Sequence, residues 1–245
     1  MLNTQANRIR EMVEHRPQVQ FPGNEWQWYQ EWDQVLFFHW QLDPAEVTPL
    51  LPPKLRLDLF EGRAWISLVP FTMMQVRPRL LPPLSFVSDF HEVNLRTYVT
   101  NGPNKGVYFF SLEAGNAFSA YISRRFSGLP YERSAISREA GQYDVQNPRT
   151  GNHLRVRYTP GEAVKHKTEL DKWLTERYYL MLQKGDKVFE FHVHHPEWAL
   201  QEPGVQEVDI SYKLGNLHLT HKTVARTHYS PGVKVIAWPQ EIIHV

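Results

Sequence analysis

The sequence predicts a mainly β fold with a few peripheral helices, and three observations support this prediction. Short apolar or alternating segments recur along the 245 residues, separated by turns that contain Gly or Pro. Few segments carry the caps and periodicity of helices. No linker divides the chain, so we expect one domain over residues 1–245, with residues 1–31 as an N-terminal helical and aromatic arm. This pattern is typical of a β-barrel or a β-sandwich.

The helices are predicted from their ends. Asp43 precedes a proline at the first helical position, Asn116 precedes an apolar segment, and Thr168 precedes two acidic residues that favour the positive helix end. A fourth helix is an amphipathic segment that stops before Pro17. The predicted helices are residues 4–15, 44–51, 117–126 and 168–177.

The remaining regular structure is predicted as short, mostly antiparallel strands. Residues 55–60 and 64–76 are expected to pair with each other and to turn at Glu61-Gly62. The predicted strands are residues 34–42, 55–60, 64–76, 87–99, 107–113, 133–146, 153–159, 178–183 and 187–194, with two or three more between 205 and 238.

Composition excludes several classes of function. The 27 basic and 26 acidic residues nearly cancel, which disfavours nucleic acid and anionic membranes as partners. The absence of Cys excludes disulfides, a thiol nucleophile and iron–sulfur clusters. The first 20 residues lack the apolar core of a secretory signal, and no apolar segment is long enough to span a bilayer. We therefore expect a cytoplasmic protein without membrane partners, and homo-oligomerisation stays open.

One strand has an unusual polar face. Side chains alternate along a strand, so Glu92, Asn94, Arg96 and Tyr98 share one face of the segment 90–99. If this face looks into a barrel, an acid, an amide, a guanidinium and a phenol converge on one cavity. If it looks into solvent, the strand is an ordinary half-exposed one.

Several motifs of the chain resemble those of the YqjF-like uncharacterised family, from about residue 32 to the C-terminus. The motifs are Phe37-Phe38-His39-Trp40, Leu50-Leu51-Pro52-Pro53, Ala64-Trp65-Ile66-Ser67-Leu68-Val69-Pro70-Phe71, Glu92-Val93-Asn94-Leu95-Arg96-Thr97-Tyr98-Val99, Gly106-Val107-Tyr108-Phe109-Phe110-Ser111-Leu112-Glu113-Ala114, Leu129-Pro130-Tyr131 and His228-Tyr229-Ser230-Pro231-Gly232-Val233. That family belongs to the acetoacetate decarboxylase-like superfamily. The resemblance implies a closed, strongly curved antiparallel β-barrel with an internal cavity and peripheral helices.

The likeness to the decarboxylases covers the acid but not the nucleophile. Glu92 occupies a place similar to that of the acid in their Tyr-x-Glu strand. Their small-x-Pro-Lys-Lys turn is similar to residues 128–132 here, where Tyr131 stands at the position of the Schiff-base lysine and Glu132 at that of the second lysine. A phenol cannot form an imine, so the resemblance implies a cavity without that covalent chemistry.

We therefore predict a binding site for a small anionic or carbonyl-containing organic molecule. Glu92 is the expected acid or base with a pKa raised by burial, Arg96 the anchor for the anion, and Tyr131 the group that orients the ligand. The other expected ligand-binding residues are Asn94, Tyr98, Glu113 and Arg125, with Glu113 also a candidate partner of Arg96. A Glu/Arg network that serves only structure is the main alternative.

Two further alternatives concern the class of protein. Glu190, His192 and His194 share one strand face and have the residue types of a two-His-one-carboxylate metal site, although solvent-facing histidines are the default interpretation. A non-catalytic sensor or a structural protein also fits. We expect no cofactor, because the chain has neither a Gly-rich phosphate loop nor a Walker pattern. It also has no Gly-x-Ser-x-Gly elbow of a hydrolase.

Overall fold

The computed structural model describes residues 4–14, 22–83, 88–115 and 131–243. Its helices are α1 (Thr4–Glu14), α2 (Pro44–Val47) and α3 (Glu169–Thr175), with 3-10 turns at Thr48–Leu50 and His221–Thr223. Its strands are β1 (Trp28–Leu42), β2 (Arg56–Leu57), β3 (Ala64–Pro78), β4 (Phe90–Asn101), β5 (Asn104–Ala114), β6 (Tyr131–Arg133), β7 (Ala135–Glu139), β8 (Gln142–Gln146), β9 (His153–Thr159), β10 (Tyr179–Lys184), β11 (Lys187–His194), β12 (Gly204–Leu214), β13 (Leu217–Thr220), β14 (Arg226–Ala237) and β15 (Glu241–Ile243).

Two sheets organise these described strands. The larger has the order β2-β4-β3-β1-β14-β11-β10-β5-β6, with β15 beside β11. Because β4 also pairs with β5, the order of neighbouring strands returns to β4. The smaller sheet has the order β13-β12-β9-β8-β7 and is antiparallel throughout. The prediction of a mainly β protein with few helices is thus confirmed.

The outer face of the larger sheet packs against the smaller sheet. Leu36, Leu68 and Leu95 from the larger sheet form one apolar core with Val156 and Tyr212 of the smaller sheet. On the adjacent strands β3 and β4, the residues that alternate with Leu68 and Leu95 face the interior of the larger sheet. Strand alternation therefore separates a core between the sheets from a second core inside the larger sheet.

Helix α3 covers one end of this interior. Thr168 caps the helix, accepting a hydrogen bond from the backbone N–H of Asp171 at 3.1 Å. The ring centroid of Trp173 lies 4.5 Å from that of Tyr98 on β4. The helix thus closes the interior with an aromatic side chain and leaves open space further along β4.

Most predicted elements are found, with two corrections. The predicted pairing of residues 55–60 with 64–76 is wrong, because β2 pairs with β4 and only an isolated bridge joins Phe60 to Arg63. The predicted strand at 133–146 is a hairpin of β7 and β8, which turns at Gly141 with a φ of 74°. The helix predicted at 117–126 lies outside the described residues. No helix in the described parts of the chain is long and apolar enough to cross a bilayer.

The contact between β5 and β10 requires a residue without a side chain. These strands share a single parallel pair, Val107 with Leu180. A Cβ on the preceding Gly106 would lie 2.6 Å from the carbonyl oxygen of Tyr179. Gly106 therefore permits the close approach of β5 to β10, which joins the two halves of the chain a second time beside the β1–β14 pairing.

The substitution Gly106→Ala should lower the free energy of unfolding by about 1–3 kcal/mol, because the added methyl group overlaps backbone atoms of β10. Denaturant unfolding measures the change. Gly23→Ala is the control, since a Cβ there has no atom within 4 Å. Equal effects of the two substitutions would contradict a close β5–β10 contact.

Candidate functional site

A cavity of about 450 Å³ occupies the interior of the larger sheet. Its polar lining residues include Gln30, Glu92, Asn94, Arg96, Tyr131, Thr175, Arg177, Tyr179 and His195. Its aromatic lining residues include Trp28, Trp32, Phe37, Phe71, Phe90, Phe109, Phe191 and Trp198. The described lining contains no lysine. A large, mostly apolar cavity with a few buried polar groups is the usual form of a small-molecule site.

Glu92 and Tyr131 form a hydrogen-bonded pair in the cavity wall. The Tyr131 hydroxyl donates to Oε2 of Glu92 at 2.8 Å, and both side chains are buried. Burial raises the pKa of Glu92 to about 7, although hydrogen bonds from Tyr131 and Asn94 oppose the shift. A carboxyl group with this pKa exchanges a proton near neutral pH, so it can both donate and accept hydrogen bonds to a ligand.

Arg96 brings a buried positive charge to the same wall. Its guanidinium carbon lies 5.7 Å from the ring centroid of Phe37, and burial lowers its pKa. Arginine nevertheless stays protonated at neutral pH. Among the described residues, no hydrogen-bond partner is found for its Nε. The Nε of Arg96 is therefore a buried donor without a partner in the described chain.

Arg177 is a second buried cation of the cavity, and the sequence did not single it out. It follows α3, where its Nε donates to the carbonyl oxygen of Trp173 at 2.6 Å and its Nη1 donates to Asp58 at 2.6 Å. Its Nη2 has no hydrogen-bond partner in the described part of the chain. A basic residue at a helix C-terminus ordinarily indicates solvent exposure, so only the tertiary structure identifies this side chain.

Tyr98 contacts both arginines on their side away from the cavity. The guanidinium carbon of Arg177 lies 4.9 Å from the Tyr98 ring centroid, and hydrogen bonding to Tyr98 opposes the lowering of the Arg96 pKa. Tyr98 itself is fully buried and does not line the cavity, whereas Arg177, which lies over its ring, does. Its predicted role as a direct ligand contact therefore does not fit the structure, which places it behind the cations.

A chain of buried hydrogen bonds holds the Tyr98 hydroxyl. It lies 2.6 Å from Oγ of Ser67, which lies 2.6 Å from Nδ1 of His39. The chain continues from His39 Nε2 to His228 Nδ1 at 3.2 Å. It ends where His228 Nε2 meets Oδ1 of Asp171 at 2.9 Å. Burial lowers the pKa of both histidines, so these neutral rings position Tyr98 without adding charge.

Glu113 does not face the cavity, which corrects its predicted role as a ligand contact and partner of Arg96. Arg96 is opposite Phe109 and Leu95 is opposite Ser111, so Phe110 is an extra residue, a bulge in β5. The bulge reverses the alternation and turns Glu113 toward the smaller sheet. There its carboxylate accepts hydrogen bonds from Ser134 and Asn147.

The remaining predicted residues have different outcomes. Asn94 lines the cavity, and in the described structure its Oδ1 has no hydrogen-bond partner. Arg125 lies outside the described residues. The structure therefore brings together Glu92, Asn94, Arg96 and Tyr131 from the predicted set, and adds Arg177.

The described structure does not assemble Glu190, His192 and His194 into the alternative metal site. These side chains point away from the cavity, because Phe191 and Val193 between them line it. Glu190 accepts a hydrogen bond from Asn104 at 2.8 Å. Over the described residues, no group of three or more His, Cys, Asp or Glu side chains is arranged to hold a metal ion.

A larger, more open concavity of about 740 Å³ lies beside the smaller sheet. Most of its charged lining groups are paired, since Arg155 contacts Asp144 at 2.7 Å and His153 contacts Asp209 at 3.2 Å. The interior cavity, whose wall buries Glu92, Arg96 and Arg177, is therefore the better candidate site.

The fold is similar to that of acetoacetate decarboxylase-like enzymes. The enduracididine biosynthesis enzyme MppR, solved with HEPES and with pyruvate bound, superposes with TM-scores of 0.59 and 0.57 at 10% identity. These matches cover 94% of this chain and 90% of that enzyme, and 91% of each, respectively. An acetoacetate decarboxylase-like enzyme from Sphingomonas wittichii RW1 gives 0.57 at 14% identity, covering 90% of this chain and 94% of that enzyme. At such identities these likenesses show the fold alone.

Sequence comparison gives the family. Residues 29–234 match the DUF2071 family, described as "Uncharacterized conserved protein". The chain is 33% identical over 229 residues to the uncharacterized protein YqjF of Bacillus subtilis (strain 168), covering 90% of this chain and 94% of that protein. The chain therefore belongs to the DUF2071 family.

Glu92 should make stability depend on pH. Its folded pKa of about 7 lies above the ordinary 4.5, so the folded state holds a proton that the unfolded state has lost, and stability falls as pH rises between these values. From pH 4 to pH 8, the free energy of unfolding of the wild type should fall by about 3 kcal/mol relative to that of Glu92→Gln. Denaturant unfolding of both proteins measures this difference, and a difference that does not vary with pH would contradict a buried, proton-exchanging Glu92.

Proposed function

We propose that this protein binds a small organic carboxylate in the interior cavity, with Arg96 and Arg177 as the anchors of the anion. The observation that carries the proposal is the presence of two buried guanidinium groups, those of Arg96 and Arg177, in the lining of one mostly apolar cavity. A buried positive charge without a full set of partners is costly, and a carboxylate supplies acceptors in the geometry that guanidinium groups prefer.

The charge balance of the described wall supports an anion. Asp58 pairs with Arg177 at 2.6 Å, but no described carboxylate pairs with Arg96. Glu92 cannot fill that role fully, because its pKa of about 7 leaves part of the population uncharged at neutral pH. An anionic ligand would remove the excess positive charge, while Glu92 and Tyr131 are placed to recognise a carbonyl or hydroxyl group of the same molecule.

We also propose that the larger sheet forms a closed barrel and that the protein binds its ligand without forming an imine. The pairing of β4 with both β3 and β5 supports a closed, curved barrel around the cavity. Tyr131 at the position similar to the Schiff-base lysine, together with a described lining free of lysine, supports binding without an imine. The neighbour MppR, solved with pyruvate, is a precedent for a carboxylate ligand on this fold.

Binding of 3-phenylpropionate tests this proposal by isothermal titration calorimetry. Wild type should bind the acid at least about tenfold more tightly than 3-phenylpropionamide, and Arg96→Gln should lose a similar factor for the acid. Arg157→Gln is the control, since Arg157 is half exposed on the smaller sheet. Equal affinity for acid and amide, or no binding of the acid, would overturn the proposal.

A second candidate function is proton transfer to the bound ligand, favoured by the near-neutral pKa of Glu92. With 4-phenyl-2-oxobutanoate in D₂O, Glu92 should exchange the protons on the carbon beside the ketone, and NMR follows the deuterium uptake. Glu92→Gln should slow this exchange by about 100-fold or more while affinity stays within a few-fold. Exchange no faster with wild type than in buffer would remove the enzymatic alternative and leave a binding protein.

A further inference from the structure

The aromatic side chains of the cavity form a row that begins at the anion anchor. The guanidinium carbon of Arg96 lies 5.7 Å from the ring centroid of Phe37. The Phe37 ring meets that of Trp198 edge-on at 5.2 Å, and Trp198 stacks with Trp32 at 6.0 Å and an interplanar angle of 23°. All three rings line the cavity. A molecule held by its carboxylate at Arg96 therefore extends along aromatic surfaces.

The volume of the cavity excludes a very small acid as a well-fitted ligand. A cavity of about 150 Å³ is enough to hold benzene, whereas the space here is about 450 Å³. An acid of two to four carbons would leave room for several water molecules, each taking about 30 Å³, against aromatic walls that offer them few hydrogen bonds. A ligand with a large apolar body fills the space instead.

The register of the strands places an aromatic ring directly beside the anchor. Phe109 on β5 is opposite Arg96 on β4, and it lines the cavity. Phe109 and Phe37 thus contact the first part of the ligand body, next to the carboxylate. Aromatic rings pair edge-to-face or offset-stacked, which flat ligand rings satisfy and saturated rings do not.

We propose that the ligand is an aromatic monocarboxylate, with its carboxylate at Arg96 and one or two rings between Phe37, Phe109 and the Trp32–Trp198 pair. This inference rests on the proposed function and adds the chemical class of the ligand body. The arginines recognise the carboxylate, and the aromatic row selects the rest of the ligand.

Three acids that share the carboxylate test the ligand body: 3-phenylpropionate, 3-cyclohexylpropionate and propionate. Thermal shift and calorimetry with each acid, and competition between them, give the affinity ratios. The phenyl acid should bind at least about 100-fold more tightly than propionate, because each buried methylene-sized group contributes about fourfold. It should also bind more tightly than the cyclohexyl acid, by about threefold, through ring–ring contacts.

A matched pair of variants tests the place of the ring. Phe109→Leu should weaken binding of 3-phenylpropionate by about three- to tenfold and weaken binding of propionate by less, since propionate has no ring. Tyr108→Leu is the control, since Tyr108 is an aromatic neighbour on the same strand that does not line the cavity. The Trp32→Leu variant, at a partly exposed ring, should act like Phe109→Leu and serves if the first variant fails to fold.

The outcomes separate this inference from the proposed function. If propionate binds as tightly as 3-phenylpropionate, or the cyclohexyl acid equals the phenyl acid, the aromatic body is overturned while the carboxylate site stands. Equal losses with Phe109→Leu and Tyr108→Leu would also overturn it. If none of the three acids binds, the proposed function itself fails.

Discussion

The enclosure of two guanidinium groups in an apolar interior is the constraint on which the rest of the site depends. Removing a charge from water is costly unless partners replace the lost solvent. Asp58 provides such a partner for Arg177 at 2.6 Å. Arg96 instead lies near the ring of Phe37 and hydrogen-bonds to Tyr98. The protein compensates only part of the free-energy cost of burying these two charges. An anionic ligand would supply the missing partner, which is the physical reason to expect one.

The surrounding structure holds these charges in place. The two sheets share one core, so the wall that carries Arg96 is packed on its outer face as well. Behind the wall, hydrogen bonds lead from Tyr98 through Ser67 and two buried histidines to Asp171 at the start of α3. The helix that covers one end of the interior is thus tied to the group that supports the arginines, which makes the cationic end of the cavity rigid.

Strand alternation made part of the site predictable from sequence. It placed Glu92, Asn94 and Arg96 on one face, and the structure finds all three in the cavity wall. It failed for Glu113, because a bulge cannot be read from residue types and a single extra residue reverses every later side chain. It also missed Arg177, whose local signal is that of an exposed helix end, although tertiary packing buries it. The alternating pattern predicted which residues of β4 face the cavity. Strand register and tertiary packing determined which residues of other elements join them.

A crystal structure with 3-(4-bromophenyl)propionate tests the central claim most directly, because the anomalous signal of bromine locates the ring independently of the carboxylate. We predict carboxylate oxygens within hydrogen-bond distance of Arg96 and Arg177, and bromine near Trp32 and Trp198. A bromine peak outside the cavity, or a carboxylate that faces bulk water while the arginines keep no anion, would contradict an anion-completed site.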